Sequence, residues 1–222
     1  MFDFKSVPIP PYTRKEDIIN SVTHAVGVPF AIAAAVLLLK KNNAELDGKY
    51  TAQVLIYAVS MFIVFFGSAF YHGLKPGYAK QVSRVMDHSN IYLMISGTLT
   101  GFYSFAVSPL NRPLAVGMIT GIWVIAAVGI FLTFMDQEKF KWIQLISYAG
   151  LGWSAIAGLV PVYRTGEAGE TFVWTAVVGG VFLSIGAVLY LIGKKKRYIH
   201  AVFHVFILVG AIIMFVAINN YI

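Results

Sequence analysis

Apolar runs long enough to cross a bilayer recur along this chain, and very little separates them. A membrane-spanning helix needs about 20 mostly apolar residues. Runs of that kind cover 20–40, 51–74, 87–108, 113–134, 142–162, 171–192 and 199–221. Charged or turn-forming residues bound each one: Lys40 to Lys49, Lys75 to Arg84, Pro109 to Pro113, Asp136 to Lys141, Arg164 to Glu170, and Lys194 to Arg197. Hydrocarbon offers no partner for an open backbone amide, so such runs are helices. The expected fold is therefore all-α, a bundle of seven transmembrane helices. Connectors this short leave no room for a second folded unit, so 1–222 reads as one membrane domain.

Composition agrees. Hydrophobic residues make up 58% of the chain and charged residues 12%, about half the share of an average globular protein. The absence of cysteine excludes disulfides, cysteine–zinc ribbons and a thiol nucleophile, so a metal site must use His, Asp or Glu. The formal net charge is +7. Because the basic residues sit in loops between apolar runs, the expected partners are membrane lipids, with anionic headgroups beside the basic loops, and not nucleic acid. Asp3, Lys5 and three prolines precede the first long run, and no cleavable signal is expected.

Seven spans put the N-terminus and the second, fourth and sixth loops on one side. That side holds 12 of the 17 lysines and arginines, the other 5. The bias predicts a cytoplasmic N-terminus and an outside C-terminus. Gly97–Gly101 and Gly117–Gly121 are GxxxG pairs, a pattern of close helix contact in lipid. Pro29 is expected to kink the first span.

Ionisable groups within spans are costly and mark candidate sites. All five histidines, His24, His72, His88, His200 and His204, map to span ends on the cytoplasmic side. His200 and His204 are four apart, so they share one helix face and can hold one metal ion. A catalytic zinc takes three protein ligands and keeps one open position. His72, one turn beyond Ser68, is the best third ligand, and Asp87 is the carboxylate at the same depth. Bland readings stand beside these. Histidines at span ends also suit the headgroup level, and Asp87 also suits an N-cap.

Ser68-Ala-Phe-Tyr-His72, Asp87 and His200-Ala-Val-Phe-His204, in that order, resemble the signature of the progestin and adipoQ receptor (PAQR) family. Within it the chain most resembles the bacterial hemolysin III branch. The segment Glu16-Asp-Ile-Ile-Asn20-Ser-Val-Thr23-His24 is similar to that branch's opening motif, with Glu16 taken as its acid. The resemblance implies zinc ligands at His72, His200 and His204. It implies an acid beside the metal at Asp87 and a motif serine at Ser68. Glu16, Asn20, His24 and His88 are further candidates to line the same cavity. It also implies a bacterial plasma-membrane protein of membrane lipid homeostasis, grouped with proposed ceramidase-like hydrolases of lipid amides and esters. The alternatives are a non-enzymatic sensor or regulator with structural zinc, and a cytolytic pore. A chain with no soluble form argues against the pore as a primary role. The seventh span holds no lysine for a retinal Schiff base.

Overall fold

The computed structural model describes residues 4–193 and 196–222. Lys194 and Lys195, part of the basic run counted above, lie outside the described residues. Among the described residues every regular element is helical. A 3₁₀ turn at Phe4–Ser6 precedes α1 (Arg14–Ala25), α2 (Gly27–Leu46), α3 (Thr51–Gly73) and α4 (Tyr78–Phe102). A π-helical turn at Tyr103–Val107 extends α4, and α5 (Arg112–Asp136), α6 (Lys141–Trp153), α7 (Ile156–Tyr163), α8 (Glu167–Gly193) and α9 (Ile199–Tyr221) follow.

α1 and α2 form one rod, Arg14–Leu46. Thr13 and Glu16 close a capping box at its start. The rod breaks at Val26, three residues before Pro29, whose ring offers no N–H to the preceding turn. α6 and α7 form a second broken rod, Lys141–Tyr163. Its break at Ser154–Ala155 receives the Tyr103 hydroxyl, which donates to the Ser154 carbonyl at 2.7 Å. The π turn thus aims a buried tyrosine at the backbone that the second break leaves open.

Among the described residues six rods are long and apolar enough to cross a membrane: Arg14–Leu46, Thr51–Gly73, Arg112–Asp136, Lys141–Tyr163, Glu167–Gly193 and Ile199–Tyr221. The sequence run at 87–108 lies in α4 and the π turn, and α4 falls short on hydropathy. The reason is position. α4 packs on α3, α5, α6 and α9, and its buried face carries Lys80, Ser83, Arg84, Ser89, Asn90, Ser96 and Thr100. α1, α3 and α5 supply partners for Lys80, Asn90 and Thr100, and the N-terminal segment and the α5–α6 turn supply them for Arg84, so this helix needs less apolar surface. The outer rods show the inverse arrangement, exposing Ile32, Phe66, Val124, Phe131 and Ile146. A surface of that kind belongs in lipid.

α4 also begins at Tyr78, nine residues before the expected start of its span, with Gly77 at its N-cap. Asp87 therefore sits inside a helix, which removes the N-cap reading. The glycine pairs divide. A Cβ on Gly97 would lie 2.5 Å from Ser60 Oγ, and one on Gly101 would lie 3.3 Å from Ile218, so this pair seats α4 against α3 and α9. A Cβ on Gly117 or Gly121 would meet nothing within 4 Å among the described residues, so this pair seats no helix closely. α8 and α9 pack closely through Gly179 on Met214 and Gly210 on Leu183.

Candidate metal centre

At the end of the bundle that carries the N-terminal segment, α1, α3, α4 and α9 converge. α9 begins after Tyr198, whose positive φ of 62° turns the chain back from α8. One turn of α9 separates His200 from His204, and both face inward and are buried. His72, in the last turn of α3, is fully buried against them. Each of the three offers one ring nitrogen, and those atoms lie within 4.8 Å of one another. The Nε2 atoms of His200 and His72 are 3.2 Å apart. Two ligand nitrogens on one tetrahedral ion stand about 3.3 Å apart, from metal–nitrogen bonds of about 2.05 Å.

The remaining nitrogens settle how the rings are held. His72 Nδ1–H donates to Asp17 Oδ1 at 3.1 Å. His204 Nδ1–H donates to the Asn20 carbonyl at 3.0 Å, with Thr23 Oγ1 3.1 Å from the same nitrogen. Both bonds leave Nε2 as the free lone pair, the arrangement that orients histidines in metal sites. A neutral imidazole set of this kind suits zinc, copper, iron or nickel.

Asp17 was not singled out in the sequence. It also accepts from Lys80 Nζ at 2.5 Å, and Lys80 donates a second bond to the Leu74 carbonyl at 3.1 Å. Glu16, read as the opening acid, is instead held in the cap. Its Oε2 accepts from Thr13 N at 2.9 Å and from Thr13 Oγ1 at 2.7 Å. Asp17 stands three residues before Asn20 and one helical step round from Glu16, on the face that meets α3. The i, i+3, i+7 spacing of Asp17, Asn20 and His24 is the signal in the sequence that could have found it.

The other candidates separate. Ser68 is buried one turn below His72, and the half-buried Asp87 on α4 sits against it. His24 is buried and stacks on His204, with ring centroids 3.6 Å apart and no hydrogen-bond partner on either nitrogen. It is not one of the three residues whose ligand atoms gather. His88 is engaged elsewhere: Nδ1 donates to the Arg84 carbonyl at 2.9 Å and Nε2 lies 3.0 Å from the Tyr190 hydroxyl.

The N-terminal segment crosses this end of the bundle. Gln81 Nε2 donates to the Lys5 and Val7 carbonyls at 2.8 and 3.1 Å, and Arg84 Nη1 donates to the Pro8 carbonyl. Arg84 Nη2 also pairs with Glu138 at 3.0 Å, tying the α5–α6 turn to the same point. The segment sets Tyr12 over His200 and His72, at centroid distances of 5.3 and 5.9 Å. Burial pushes the Tyr12 hydroxyl well above its ordinary value, so it remains a neutral phenol at physiological pH.

Membrane-length rods closed round a buried trio of histidines define a multi-pass membrane protein with a candidate metal centre. The family model described as haemolysin-III related matches residues 12–215, and the chain belongs to that family. Hemolysin-3 of Bacillus cereus is 29% identical over 210 residues, covering 94% of this chain and 92% of that protein. The hemolysin-3 homolog of Bacillus subtilis is 30% identical over 211 residues, covering 95% and 96%. The human monocyte to macrophage differentiation factor is 26% identical over 214 residues, covering 94% and 85%.

Proposed function

We propose that this protein is a zinc-dependent hydrolase of lipid amide or ester bonds that serves membrane lipid homeostasis. In this reading the bundle spans the bilayer seven times, N-terminus inside. The polar α4 is the third span in chain order and completes the set of seven, shielded from lipid by its neighbours, and the excess of basic residues on the N-terminal side supports that orientation. The observation that carries the reading is the buried histidine trio, with His72 and His204 already held at Nδ1 and their Nε2 lone pairs free.

Held by His72, His200 and His204, zinc would supply Lewis-acid chemistry, lowering the pKa of a water molecule and polarising a substrate carbonyl. Asp87 is the carboxylate that would hold a water beside the histidines and accept its proton. Ser68 holds the Asp87 carboxylate in place. The site lies at the headgroup level, so the acyl chain stays among the apolar rods while the scissile bond reaches the histidines. A second reading, a regulator with structural zinc, is favoured by one observation. The trio is buried beneath Tyr12, and the grooves beside Tyr92 and Phe172 open elsewhere.

The test is metal counting by mass spectrometry on protein purified in mild detergent, followed by a lipid-hydrolysis screen. About one zinc per chain, lost in His72→Ala and His204→Ala, is expected. A fully metallated His204→Ala protein refutes the site. Zinc retained without turnover on any amide or ester lipid selects the structural reading.

A further inference from the structure

We propose that Asp17 and Lys80 act as an opposed pair that sets how tightly the histidine site holds its metal, Asp17 strengthening the hold and Lys80 weakening it. The proposal rests on the metal reading above.

The geometry is a chain of three buried groups. His72 donates to one oxygen of Asp17, and Lys80 donates to the other. All three are withdrawn from water, the side chains of His72, Asp17 and Lys80 being 0%, 7% and 1% exposed. A carboxylate on Nδ1–H fixes the tautomer, aims Nε2 and raises the basicity of the ring as a ligand. Here that carboxylate is shared. The ammonium takes the second oxygen at 2.5 Å and offsets the negative charge that would favour a cation. A positive charge this near a metal site also opposes metal entry, and burial keeps water and salt from screening it.

Lys80 has a structural reason to be there as well. It meets the carbonyl of Leu74 at the C-terminal end of α3, where the helix dipole favours a cation. A purely structural pin and an affinity setting make different predictions. If the pair only braces the α3–α4 turn, removing either member loosens the site, and both losses weaken metal binding. If the pair is opposed, the two removals act in opposite directions. Without Lys80 the buried carboxylate has no ion partner, and an arriving metal cation relieves that cost.

The experiment measures zinc affinity by chelator competition on the full chain in detergent, with size-exclusion profiles as the folding control. Asp17→Asn keeps the shape and an acceptor but removes the charge, and is expected to lower affinity by about 10–100-fold. Lys80→Met is expected to raise it by about tenfold or more. Native binding with Lys80→Met weaker than or equal to native overturns the proposal and leaves the metal reading standing. No zinc on the native chain, even when zinc is supplied, overturns both. If Lys80→Met does not fold, the charge-free Lys80→Gln takes its place and decides by the same direction. If neither folds, ¹⁵N-imidazole spectra of the native chain decide. His72 must be protonated at Nδ1 with and without zinc, and an Nε2-protonated ring overturns the proposal.

Discussion

Replacing Gly27 by alanine adds one methyl group at a position that reads as an ordinary helical glycine. The structure gives that methyl no space. A Cβ there would lie 2.4, 2.5 and 2.6 Å from Cγ, Cδ1 and Cδ2 of Phe65, a fully buried ring. Carbon contacts settle near 3.5–4.0 Å, so the ring must retreat by about 1 Å. Its way back is blocked, because its edge packs on His24 at a centroid distance of 5.4 Å and His24 stacks on His204. Overpacking of this kind costs about 1–3 kcal/mol. The helix propensity of alanine returns up to about 1 kcal/mol. With the clash taken at the upper end, the net loss is about 2 kcal/mol, a fall of about 4–8 °C in the apparent Tm of a chain this size. Gly121→Ala is the control. Nothing lies within 4 Å of its Cβ, and the same propensity raises Tm by about 2–4 °C. Thermal unfolding in detergent reads both, and metal content should fall in Gly27→Ala alone. Equal shifts for the two variants would refute the packing argument.

Two further outcomes follow from buried contacts. Asn42 is fully buried, accepts from the Tyr50 backbone amide at 3.0 Å and donates to Thr51 Oγ1 at 3.1 Å, closing the turn between α2 and α3. Asn42→Leu leaves that amide without a partner and should cost about 1–3 kcal/mol, read as a lowered Tm, while Asn42→Asp restores the acceptor and recovers part of the loss. Arg84→Ala removes the bond to Pro8 and the pairing with Glu138. The N-terminal segment should then lift Tyr12 from the histidines, and His200 should react faster with a histidine-selective acylating reagent, scored by peptide mass spectrometry. An unchanged rate in Arg84→Ala would show that other contacts hold the segment.

Much of this protein was legible in one dimension, because lipid imposes rules that act on single segments. Run length and hydropathy marked the rods, since a span must satisfy its own backbone and present apolar side chains to hydrocarbon. The four-residue spacing of His200 and His204 guaranteed a shared face in any helix. The rest depended on neighbours. α4 is polar because other helices shield it, so hydropathy alone understates it. Gly97–Gly101 and Gly117–Gly121 are the same motif, yet a Cβ on the first pair would meet Ser60 and Ile218, while one on the second would meet nothing among the described residues. Glu16 and Asp17 are adjacent acids. The capping box occupies the first, which leaves the second to turn toward His72, 55 residues along the chain. His88 shares its end of the bundle with the trio but is held by Arg84 and Tyr190. Periodicity within a segment is local, and a sequence displays it. Which side chain meets which across 55 or 128 residues is decided by how the rods pack, and only the tertiary structure records that.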